Sequence, residues 1–371
     1  MVKNGPGRIP FVDLGAEHAE VAIEVAQRWA GVLASSQFLA GAEIECFEAD
    51  FARFCELRHC VTVANGTDAL ELALRVVGVM VGTEVVVPAV TFIATALAVL
   101  RIGARPVLVD VDGSGLMDPR QVSEALSPRT RAVVPVHLYG QMAACEDIVK
   151  ALGDHDVALV EDAAQAHGAR RGGQAVGARA AAVATSFYPT KNLGAYGHGG
   201  AVLTDSPRLA AHVRALRSHG SDRKHHHPVM GWNSQLDELQ AAVLNAKLPG
   251  LAERNQRRRQ AAARYDNLLA TRADIALPVQ VDGNEHVWHL YAVRVPRRDA
   301  VLERLHRLGV DAGIHYPVPL HLQPALKHLG YRGGDFPMAE ALAASVLSLP
   351  LFPTITAAQQ EKVVAVLDRC L

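Results

Sequence analysis

From residue 59 onward, short runs of apolar, mostly β-branched residues alternate with stretches of helical periodicity. The apolar runs are HCVTVAN, EVVVPAV, RPVLVDV, RAVVPVHL and DVALVEDA. Between them lie TDALELALRVVG, TFIATALAVLRIG, DPRQVSEAL and ACEDIVKALGD, which are typical of amphipathic helices. Strands that are apolar throughout, with helices between them, predict an α/β fold with a mainly parallel sheet buried on both faces. Ligands of such sheets bind beyond the carboxyl ends of the strands, so the residues that close each run are the candidate site.

After residue 205 the pattern becomes mainly helical. PRLAAHVRALRSHG predicts one helix, and residues 235–270 predict a long one that Pro249 and Gly250 kink. A smaller unit follows from about residue 286, with the strand VWHLYAVRV, the helix DAVLERLHRLG, the segment VDAGIHYPVPLHLQ and a terminal helix from about Ala357. Near the start of the chain, EHAEVAIEVAQRWAGVL predicts an amphipathic helix that packs on the second lobe or on a partner.

The length of 371 residues exceeds what one hydrophobic core usually supports, so we expect more than one lobe. We place an N-terminal helical segment at 1–45, a large ligand-binding domain at 46–245, and a long helix with a small C-terminal domain at 246–371. No internal repeat interrupts this division.

Composition and charge exclude several classes of function. Lysine and arginine number 37 against 38 aspartate and glutamate, so no excess of positive charge favours nucleic acid as a partner. No apolar run is long enough to span a membrane, and the start of the chain lacks the apolar core of a signal peptide, so we expect a soluble cytoplasmic protein. The cysteines form no pair at metal-ligand spacing, which predicts reduced thiols and no metal site; they are Cys46, Cys55, Cys60, Cys145 and Cys370.

One lysine stands apart in VATSFYPTKNLGAYGHGG, residues 183–200, where a strand of small residues runs into Lys191 and then into a glycine-rich turn. Most lysines are solvated surface charges, so the neighbouring strand ends decide how this one is interpreted. The first apolar run ends in Asn65-Gly66-Thr67-Asp68 and passes directly into a helix, whose start is suited to binding a phosphate. The alternative is that Thr67 or Asp68 only caps this helix.

A carboxylate, Asp162, ends the strand DVALVED. It is able to cap a helix, bind a metal or pair with a buried cation, and no second carboxylate or histidine at metal-ligand spacing accompanies it. A lysine, a carboxylate and an anion site together fit pyridoxal 5′-phosphate. That cofactor needs an amine to bond its aldehyde, an acid at its pyridine nitrogen and a cradle for its phosphate.

Seven blocks of the chain closely resemble one protein family. They are GTDALELAL, PAVTFIATALAV, VPVHLYGQ, EDAAQAHGA, SFYPTKNLGAYGHGGAV, NSQLDELQAAVL and GIHYPVPLHLQPA. In this order they resemble the DegT/DnrJ/EryC1/StrS sugar aminotransferases from about residue 9 to about residue 368. The resemblance implies a pyridoxal-phosphate enzyme of fold type I, with a mainly parallel seven-stranded sheet in the large domain and a smaller C-terminal α/β domain.

The resemblance also implies roles for single residues. Lys191 matches the lysine that bonds the cofactor, and Asp162 matches the partner of the pyridine nitrogen. The other matched positions are Gly66, Thr67 and Ser186 for the phosphate, Gln165 for the ring hydroxyl, Phe92 for stacking on the ring, and Asn233 for the phosphate of a neighbouring subunit. His315 and Tyr316 match weaker substrate positions, and Lys224 is a hypothetical contact of a diphosphate. The shared phosphate site implies a homodimer.

The implied reaction moves an amino group from glutamate or glutamine to a nucleotide-linked keto-deoxysugar, in the biosynthesis of an aminodeoxysugar for an antibiotic or a surface polysaccharide. FYPTKNLGAYG and VHLYGQ favour C3 of a dTDP-3-keto-6-deoxyhexose over C4. Amination of a keto-cyclitol such as scyllo-inosose stays open as an alternative. A non-catalytic regulatory relative is the alternative from a different class, although no basic stripe or helix-turn-helix supports binding to DNA.

Two positions depart from the family pattern. His198 stands in GHGG where the family usually has an acidic residue, and Gln235 stands in NSQLDE where it usually has arginine. Both changes remove an expected charge near the cofactor or the subunit interface, which affects the prediction of substrate contacts. The consecutive histidines at 225–227 favour a loop over a metal site, because neighbouring side chains of an ordered element do not all face one ion.

Overall fold

The computed structural model describes residues 7–371, and its centre is a seven-stranded sheet in the order β1-β9-β8-β5-β4-β2-β3. The strands of the chain are β1 His59–Val63, β2 Glu84–Pro88, β3 Arg105–Val109, β4 Thr130–Val133, β5 Ala158–Asp162, β6 Arg170–Arg171, β7 Gln174–Ala175, β8 Ala182–Ser186, β9 Gly200–Thr204, β10 Asn284–Glu285, β11 Tyr291–Arg294 and β12 Val346–Leu349. In the large sheet only β9 is antiparallel to its neighbours, β1 and β8. The mainly parallel sheet is therefore confirmed.

Helices cover both faces of this sheet. The helices of the described chain are α1 Leu14–Ala19, α2 Ala22–Ser35, α3 Ala42–Phe54, α4 Gly66–Val76, α5 Ala94–Ile102, α6 Pro119–Ala125, α7 Cys145–Leu152, α8 Pro207–Arg217, α9 Glu238–Lys247, α10 Leu251–Leu269, α11 Arg298–Arg307, α12 Pro337–Ser345 and α13 Ala357–Asp368. The inner strands β2 and β9 are buried along their whole length, which explains why their sequences do not alternate between apolar and polar residues. Within residues 7–371, no helix combines the length and apolar character needed to cross a membrane.

Parallel pairing brings polar strand ends to one edge of the sheet. Asp162, the last residue of β5, lies opposite Ala184 of β8 and bridges to Val136, which follows β4. Ser186 ends β8 two residues beyond Ala184 and pairs with Gly200 at the start of β9. These pairings place the carboxylate of Asp162 and the hydroxyl of Ser186 at the same edge.

A separate hydrophobic cluster surrounds the antiparallel pair of strands β11 and β12, with residues from α10, α11 and α13. The segment before β12 crosses back to the large sheet, where Asp110 at the end of β3 accepts the backbone N–H groups of Met338 (2.9 Å) and Ala339 (2.8 Å). These bonds occupy the free N–H groups at the start of α12 and so fix the second lobe against the large one.

The long helix has the predicted kink, because Leu248–Gly250 form a single 3₁₀ turn between α9 and α10. The single amphipathic helix predicted near the start of the chain is wrong, since the chain turns at Val21 between α1 and α2. The two pieces pack on different elements. The indole of Trp29 in α2 donates to the carbonyl of Leu239 in α9 (2.8 Å). Glu20, which follows α1, instead forms an ion pair with Arg257 of α10 (2.6 Å).

The strand predicted over VWHLYAVRV is shorter than expected and begins only at Tyr291. The preceding residues bond to the loop after β4 instead: the N–H of Val287 donates to the carbonyl of Gly140 (2.9 Å), and that of Leu290 to the carbonyl of Tyr139 (3.2 Å). Trp288 adopts a left-handed conformation with φ 48°. The irregular stretch turns His289 toward the carboxyl edge of the large sheet.

Candidate active site

A cavity of about 640 Å³ lies at the carboxyl edge of the large sheet, between the two lobes. The predicted site residues that line it are Gly66, Thr67, Phe92, Asp162, Gln165, Ser186, Lys191, His315 and Tyr316. The order of strands in the sheet brings them together, although they are spread over some 250 positions of the chain.

The start of α4 forms the anion-binding end of this cavity. Asn65 caps the helix, since its side chain accepts the N–H of Asp68 at 2.9 Å, so Thr67 is not needed as a cap. Among residues 7–371 no partner occupies the hydroxyl of Thr67 or the N–H groups of Gly66 and Thr67. A Cβ on Gly66 would lie 2.6 Å from the Cβ of Ser186, so glycine is required for the helix to start this close to β8. The donors therefore converge where a phosphate would fit.

Asp162 forms the floor of the cavity. One oxygen accepts the hydroxyl of Thr95 at 2.9 Å, and the other accepts the N–H of Ala164 at 3.2 Å. Burial raises the pKa of the Asp162 carboxyl, and these two hydrogen bonds and the charge of Lys191 oppose that rise only in part. A cation bound beside the carboxylate would favour its ionised form, which is what a protonated pyridine nitrogen would provide.

Lys191 reaches the cavity from the turn that follows β8. Its N–H donates to the carbonyl of Tyr188 (2.9 Å), and the chain then folds back so closely that a Cβ on Gly194 would lie 2.3 Å from the carbonyl oxygen of Pro189. Burial lowers the pKa of the Lys191 ammonium to about 8, and the charge of Asp162 opposes that shift. A sizeable fraction of the amine is therefore neutral near physiological pH, as a nucleophile or base requires.

Gln165 links the cavity to the second lobe. Its side-chain oxygen accepts the N–H of Tyr139 at 2.6 Å, and its amide donates to the hydroxyl of Tyr316 at 3.1 Å. Because the Tyr316 oxygen already accepts this bond, its own proton is free to point into the cavity. Burial raises the pKa of Tyr316 well above its usual value, so the phenol stays protonated.

Phe92 and His315 also line the cavity, and of the two only Phe92 is exposed. Phe92 is 54% exposed, and its ring lies 5.8 Å from that of Tyr316 between centroids. His315 stacks on Phe11, and its Nδ1 lies 2.9 Å from the hydroxyl of Ser348. Burial lowers the pKa of His315 to about 4, so the ring is neutral at physiological pH.

Two predicted residues do not line the cavity. Asn233 and Lys224 are both exposed, on the segment between α8 and α9. Of the two positions that depart from the family pattern, His198 lines the cavity as an exposed residue beside Tyr188, whereas Gln235 lies outside it. The cavity of the single chain thus lacks two of the predicted contacts, that of Asn233 with the phosphate and that of Lys224 with the diphosphate.

Three residues of this region were absent from the sequence prediction. Thr95 holds Asp162, and Asn192 and His289 form a buried pair beside Lys191, with 3.1 Å between Oδ1 of the amide and Nδ1 of the ring. Thr95 lies three positions after the predicted Phe92, and Asn192 follows Lys191 directly, so proximity to predicted residues was a usable signal for both. His289 had none, because it falls inside a segment that reads as a strand.

A second polar group resembles a metal site but is a closed hydrogen-bond network. His137, Cys145 and Glu161 bring one potential ligand atom each to within 4.8 Å of one another. The N–H of Ala143 donates to Nδ1 of His137 (3.1 Å), so Nε2 carries the ring proton and donates to Glu161 (2.9 Å). The same carboxylate oxygen accepts the N–H of Gly177 at 2.7 Å. The nitrogen that faces the carboxylate therefore has no free lone pair for a metal.

Comparison with known proteins agrees with this geometry. Residues 20–368 match the DegT/DnrJ/EryC1/StrS aminotransferase family. The chain is 49% identical, over 97% of its length and 98% of the relative's, to a Saccharopolyspora erythraea protein named erythromycin biosynthesis sensory transduction protein EryC1. It is 46% identical, over 96% of its length and 94% of the relative's, to the dTDP-3-amino-3,4,6-trideoxy-alpha-D-glucose transaminase of Streptomyces venezuelae.

Among solved structures, that of S. venezuelae DesV in complex with a ketimine intermediate superposes with a TM-score of 0.95. The two chains are 46% identical, and the match covers 98% of each. The predicted fold of a large domain with a smaller C-terminal α/β domain is thereby confirmed.

Proposed function

The chain belongs to the DegT/DnrJ/EryC1/StrS aminotransferase family, and on this premise we propose that it transfers an amino group from glutamate or glutamine to C3 of a dTDP-3-keto-6-deoxyhexose. The observation that carries the proposal is the single cavity in which an amine of lowered pKa, a buried carboxylate and an anion cradle face one another. The preference for C3 is supported by the S. venezuelae relative, whose name describes a 3-amino sugar.

The residues present fit pyridoxal 5′-phosphate. Gly66, Thr67 and Ser186 would hold the phosphate, Asp162 the ring nitrogen, and Lys191 the aldehyde. In addition, Gln165 would lie beside the ring hydroxyl and Phe92 against the ring face. Bound there, the cofactor supplies a reactive aldehyde and a ring that withdraws electrons during amine transfer.

The protein's own groups then perform three tasks. Asp162, held by Thr95, would keep a proton on the ring nitrogen of the bound cofactor. Lys191, once its amine is free, takes up a proton at Nζ and returns it, which a pKa of about 8 permits. Tyr316 offers its free hydroxyl proton to an acceptor in the cavity, because Gln165 already donates to its oxygen.

We infer that the working unit is a cytoplasmic homodimer. Asn233 and Lys224 are exposed in the single chain and lie outside the cavity. In a dimer, Asn233 would reach the phosphate in the partner's site, and Lys224 would contact the diphosphate of the sugar nucleotide. We propose the same lobe boundaries as in the sequence analysis, with the large lobe at 46–245 and the long helix and small lobe at 246–371.

The test is an assay of the purified protein with pyridoxal 5′-phosphate, glutamate or glutamine, and a panel of three acceptors. These are a dTDP-3-keto-6-deoxyhexose, a dTDP-4-keto-6-deoxyhexose and scyllo-inosose, and mass spectrometry detects the amine product. We expect amination of the 3-keto sugar. Amination of only the 4-keto sugar or the cyclitol would contradict the proposed substrate, and the absence of any product with each donor would favour a regulatory relative.

A further inference from the structure

The turn that follows β8 and carries Lys191 has few backbone hydrogen bonds of its own. The N–H of Lys191 donates to the carbonyl of Tyr188 (2.9 Å), and the N–H of Ala195 closes the turn on the carbonyl of Phe187 (2.8 Å). Between these two bonds lies Asn192, the residue directly after the lysine, which is 5% exposed. Of the polar side chains in this turn, that of Asn192 is the one with hydrogen-bond partners on other elements of the described chain.

The side-chain amide of Asn192 uses both of its donor protons. Its Nδ2 group donates to the carbonyl of Val287 (2.9 Å) and to Oδ1 of Asn255 (2.9 Å). A backbone carbonyl only accepts, so the amide cannot be flipped without placing two acceptors against each other. Oδ1 of Asn192 therefore faces Nδ1 of His289 at 3.1 Å and accepts its proton. Three hydrogen bonds thus tie the residue after the lysine to α10 and to the irregular stretch before β11.

A second buried amide extends these bonds to the segment that follows Asp162. Asn255 of α10 donates through Nδ2 to the carbonyl of His167 at 2.8 Å, so its Oδ1 is directed toward Asn192. His167 lies in the loop that begins after Asp162, at the end of β5. The two amides therefore join the turn of Lys191 to the loop of Asp162.

Burial makes this network rigid. Asn192, Asn255 and His289 are each less than a tenth exposed, so water does not compete for their hydrogen bonds. An amide that left these partners would remain buried with its donors unsatisfied, which is more destabilising than the loss of a bond at the surface. The turn is therefore held in one position by hydrogen bonds, in addition to the complete burial of Leu193.

The network joins the two groups that would face opposite ends of the cofactor ring. Lys191 would bond the aldehyde, and Asp162 would face the ring nitrogen, which is across the ring from the aldehyde. Asp162 has its own bonds to Thr95 and Ala164, which do not involve the turn. A shift of the turn would therefore misplace the amine while the carboxylate stayed in position.

We propose that Asn192 is a positioning residue, whose three hydrogen bonds hold the turn so that the amine of Lys191 stays in the cavity at the separation from Asp162 that the cofactor requires. The role rests on the proposed function and deepens it. Asn192 does not line the cavity and touches no reacting atom, so it acts through the backbone of Lys191. Its loss should affect the surroundings of the amine and the bond to the aldehyde more than the binding of the ring and the phosphate.

The first test measures the pKa of Lys191 in the full-length protein freed of cofactor. The pH dependence of acetylation by acetic anhydride gives this pKa, with mass spectrometry of the Lys191 peptide. Burial lowers the pKa to about 8, and the charge of Asp162 opposes that shift. In Asn192→Ser the turn should loosen and let water reach the amine, so the midpoint should rise by about one pH unit or more, because burial is the larger effect. An unchanged midpoint would overturn the proposal.

Asn284→Ser is the matched control. Asn284 is also a buried amide, and it accepts the N–H of Met142 (2.8 Å) and donates to the carbonyl of the same residue (3.1 Å), but neither residue lines the cavity. The midpoint of Lys191 should stay at its wild-type value in this variant. Equal rises in the two serine variants would overturn the proposal, because general loosening of the protein would then explain both.

Two forms of the cofactor give a readout that a general structural role would not separate. Pyridoxal 5′-phosphate bonds to the lysine, whereas pyridoxamine 5′-phosphate has the same ring and phosphate and forms no such bond. In Asn192→Ser the Kd of pyridoxal 5′-phosphate should rise by roughly tenfold to 100-fold, because a displaced amine forms the bond less readily. The Kd of pyridoxamine 5′-phosphate should not change, and equal losses for both compounds would contradict a role in positioning. If the wild type binds neither compound, the proposed function fails, while the acetylation midpoints still decide whether Asn192 holds the lysine.

A measurement on the wild type does not depend on whether any variant folds. In protein labelled with ¹⁵N-asparagine, the Nδ2 protons of Asn192 should exchange with deuterated water far more slowly than those of the exposed Asn267, because both are donated to buried acceptors. The resonance is assigned through the backbone of Asn192. Exchange as fast as that of Asn267 would show that the amide is not held, and would overturn the proposal.

Discussion

The inner and outer ends of the cavity are built differently. At the inner end, Asp162 is buried and has both oxygens bonded, and Asn65 caps the helix that carries the anion cradle. At the outer end, Phe92 is 54% exposed and Tyr188 is 49% exposed, and Lys224 belongs to an exposed segment. Apart from the contact proposed between the phosphate and Asn233 of a second copy, the inner end is built within one chain, whereas the outer end is open.

The two ends of the cavity are proposed to have different roles: the inner end holds the cofactor, and the outer end binds the sugar nucleotide. The groups proposed to hold the cofactor are fixed by the strand ends of the sheet, where hydrogen bonds and burial leave little freedom. The groups proposed to contact the sugar nucleotide belong to segments that connect the elements, which vary more readily and carry specificity. Variants of the inner end should therefore affect catalysis most, and variants of the outer end should affect substrate affinity.

The largest effect is expected at Lys191. Lys191→Arg keeps a positive charge but removes the amine that bonds the cofactor and moves the proton, so amino transfer should fall by at least ~10³-fold. The measurement is the single-turnover rate with glutamate. The matched control is Lys247→Arg. Lys247 is also a buried lysine, and burial lowers its pKa to about 8, but its amine lies outside the cavity and donates to the carbonyl of Gly194 (2.7 Å). A Lys247→Arg variant with the same loss of rate would remove the distinction drawn for Lys191.

The next largest effect is expected at the floor of the cavity. Asp162→Asn keeps the shape and an acceptor for Thr95 but removes the charge, so kcat should fall by about 10–100-fold as one charge-assisted hydrogen bond is weakened. Asp110→Asn is the control, because Asp110 is an equally buried carboxylate at the end of β3 that bonds α12 instead of lining the cavity. Equal kcat losses in both variants would show that buried charge at this edge has a structural role only.

The anion cradle should affect binding of the cofactor more than the chemical step. Thr67→Val and Ser186→Ala each remove one hydroxyl, and each should weaken the binding of pyridoxal 5′-phosphate by roughly tenfold, as measured by fluorescence titration. Pyridoxal without its phosphate is the control ligand, and its affinity should not change. A matching loss for pyridoxal would place these hydroxyls away from the phosphate.

The smallest effect is expected at the outer end. Lys224→Ala should raise the KM for the sugar nucleotide by about two- to fivefold without a change in kcat, since an exposed ionic contact contributes little. The increase should shrink at high salt. The neighbouring Arg223→Ala is the control for general loss of charge. An unchanged KM in Lys224→Ala would remove Lys224 from the substrate site.

The sequence predicted the inner end of the cavity better than the outer end. The physical reason is that the inner residues lie at strand ends, whereas the outer residues lie on connecting segments. Parallel strands leave long apolar runs that end in the functional residues, so Asp162 and Lys191 could be found from the pattern and assigned from the family motifs. His289 could not, because hydrogen bonds of Val287 and Leu290 to the loop after β4 override the strand pattern of VWHLYAVRV. Long-range bonds of this kind leave no periodic signal in the sequence.

The same limit applies to the N-terminal helix. EHAEVAIEVAQRWAGVL has the period of one continuous helix, but the chain turns at Val21 because α1 and α2 meet different parts of the molecule. Trp29 is bonded to α9, and Glu20 is paired with Arg257 of α10 (2.6 Å). Tertiary contacts decided the boundary, which local propensity alone does not contain.

The most direct test of the central claim, that this cavity holds pyridoxal 5′-phosphate through Lys191, is the absorbance spectrum of the purified protein before and after addition of glutamate, with Lys191→Ala beside it. The account predicts a visible band in the wild type that moves to shorter wavelength with glutamate, and a band that is absent or does not respond in the variant. A wild type that stays colourless with added cofactor, or a variant that responds to glutamate as the wild type does, would contradict it.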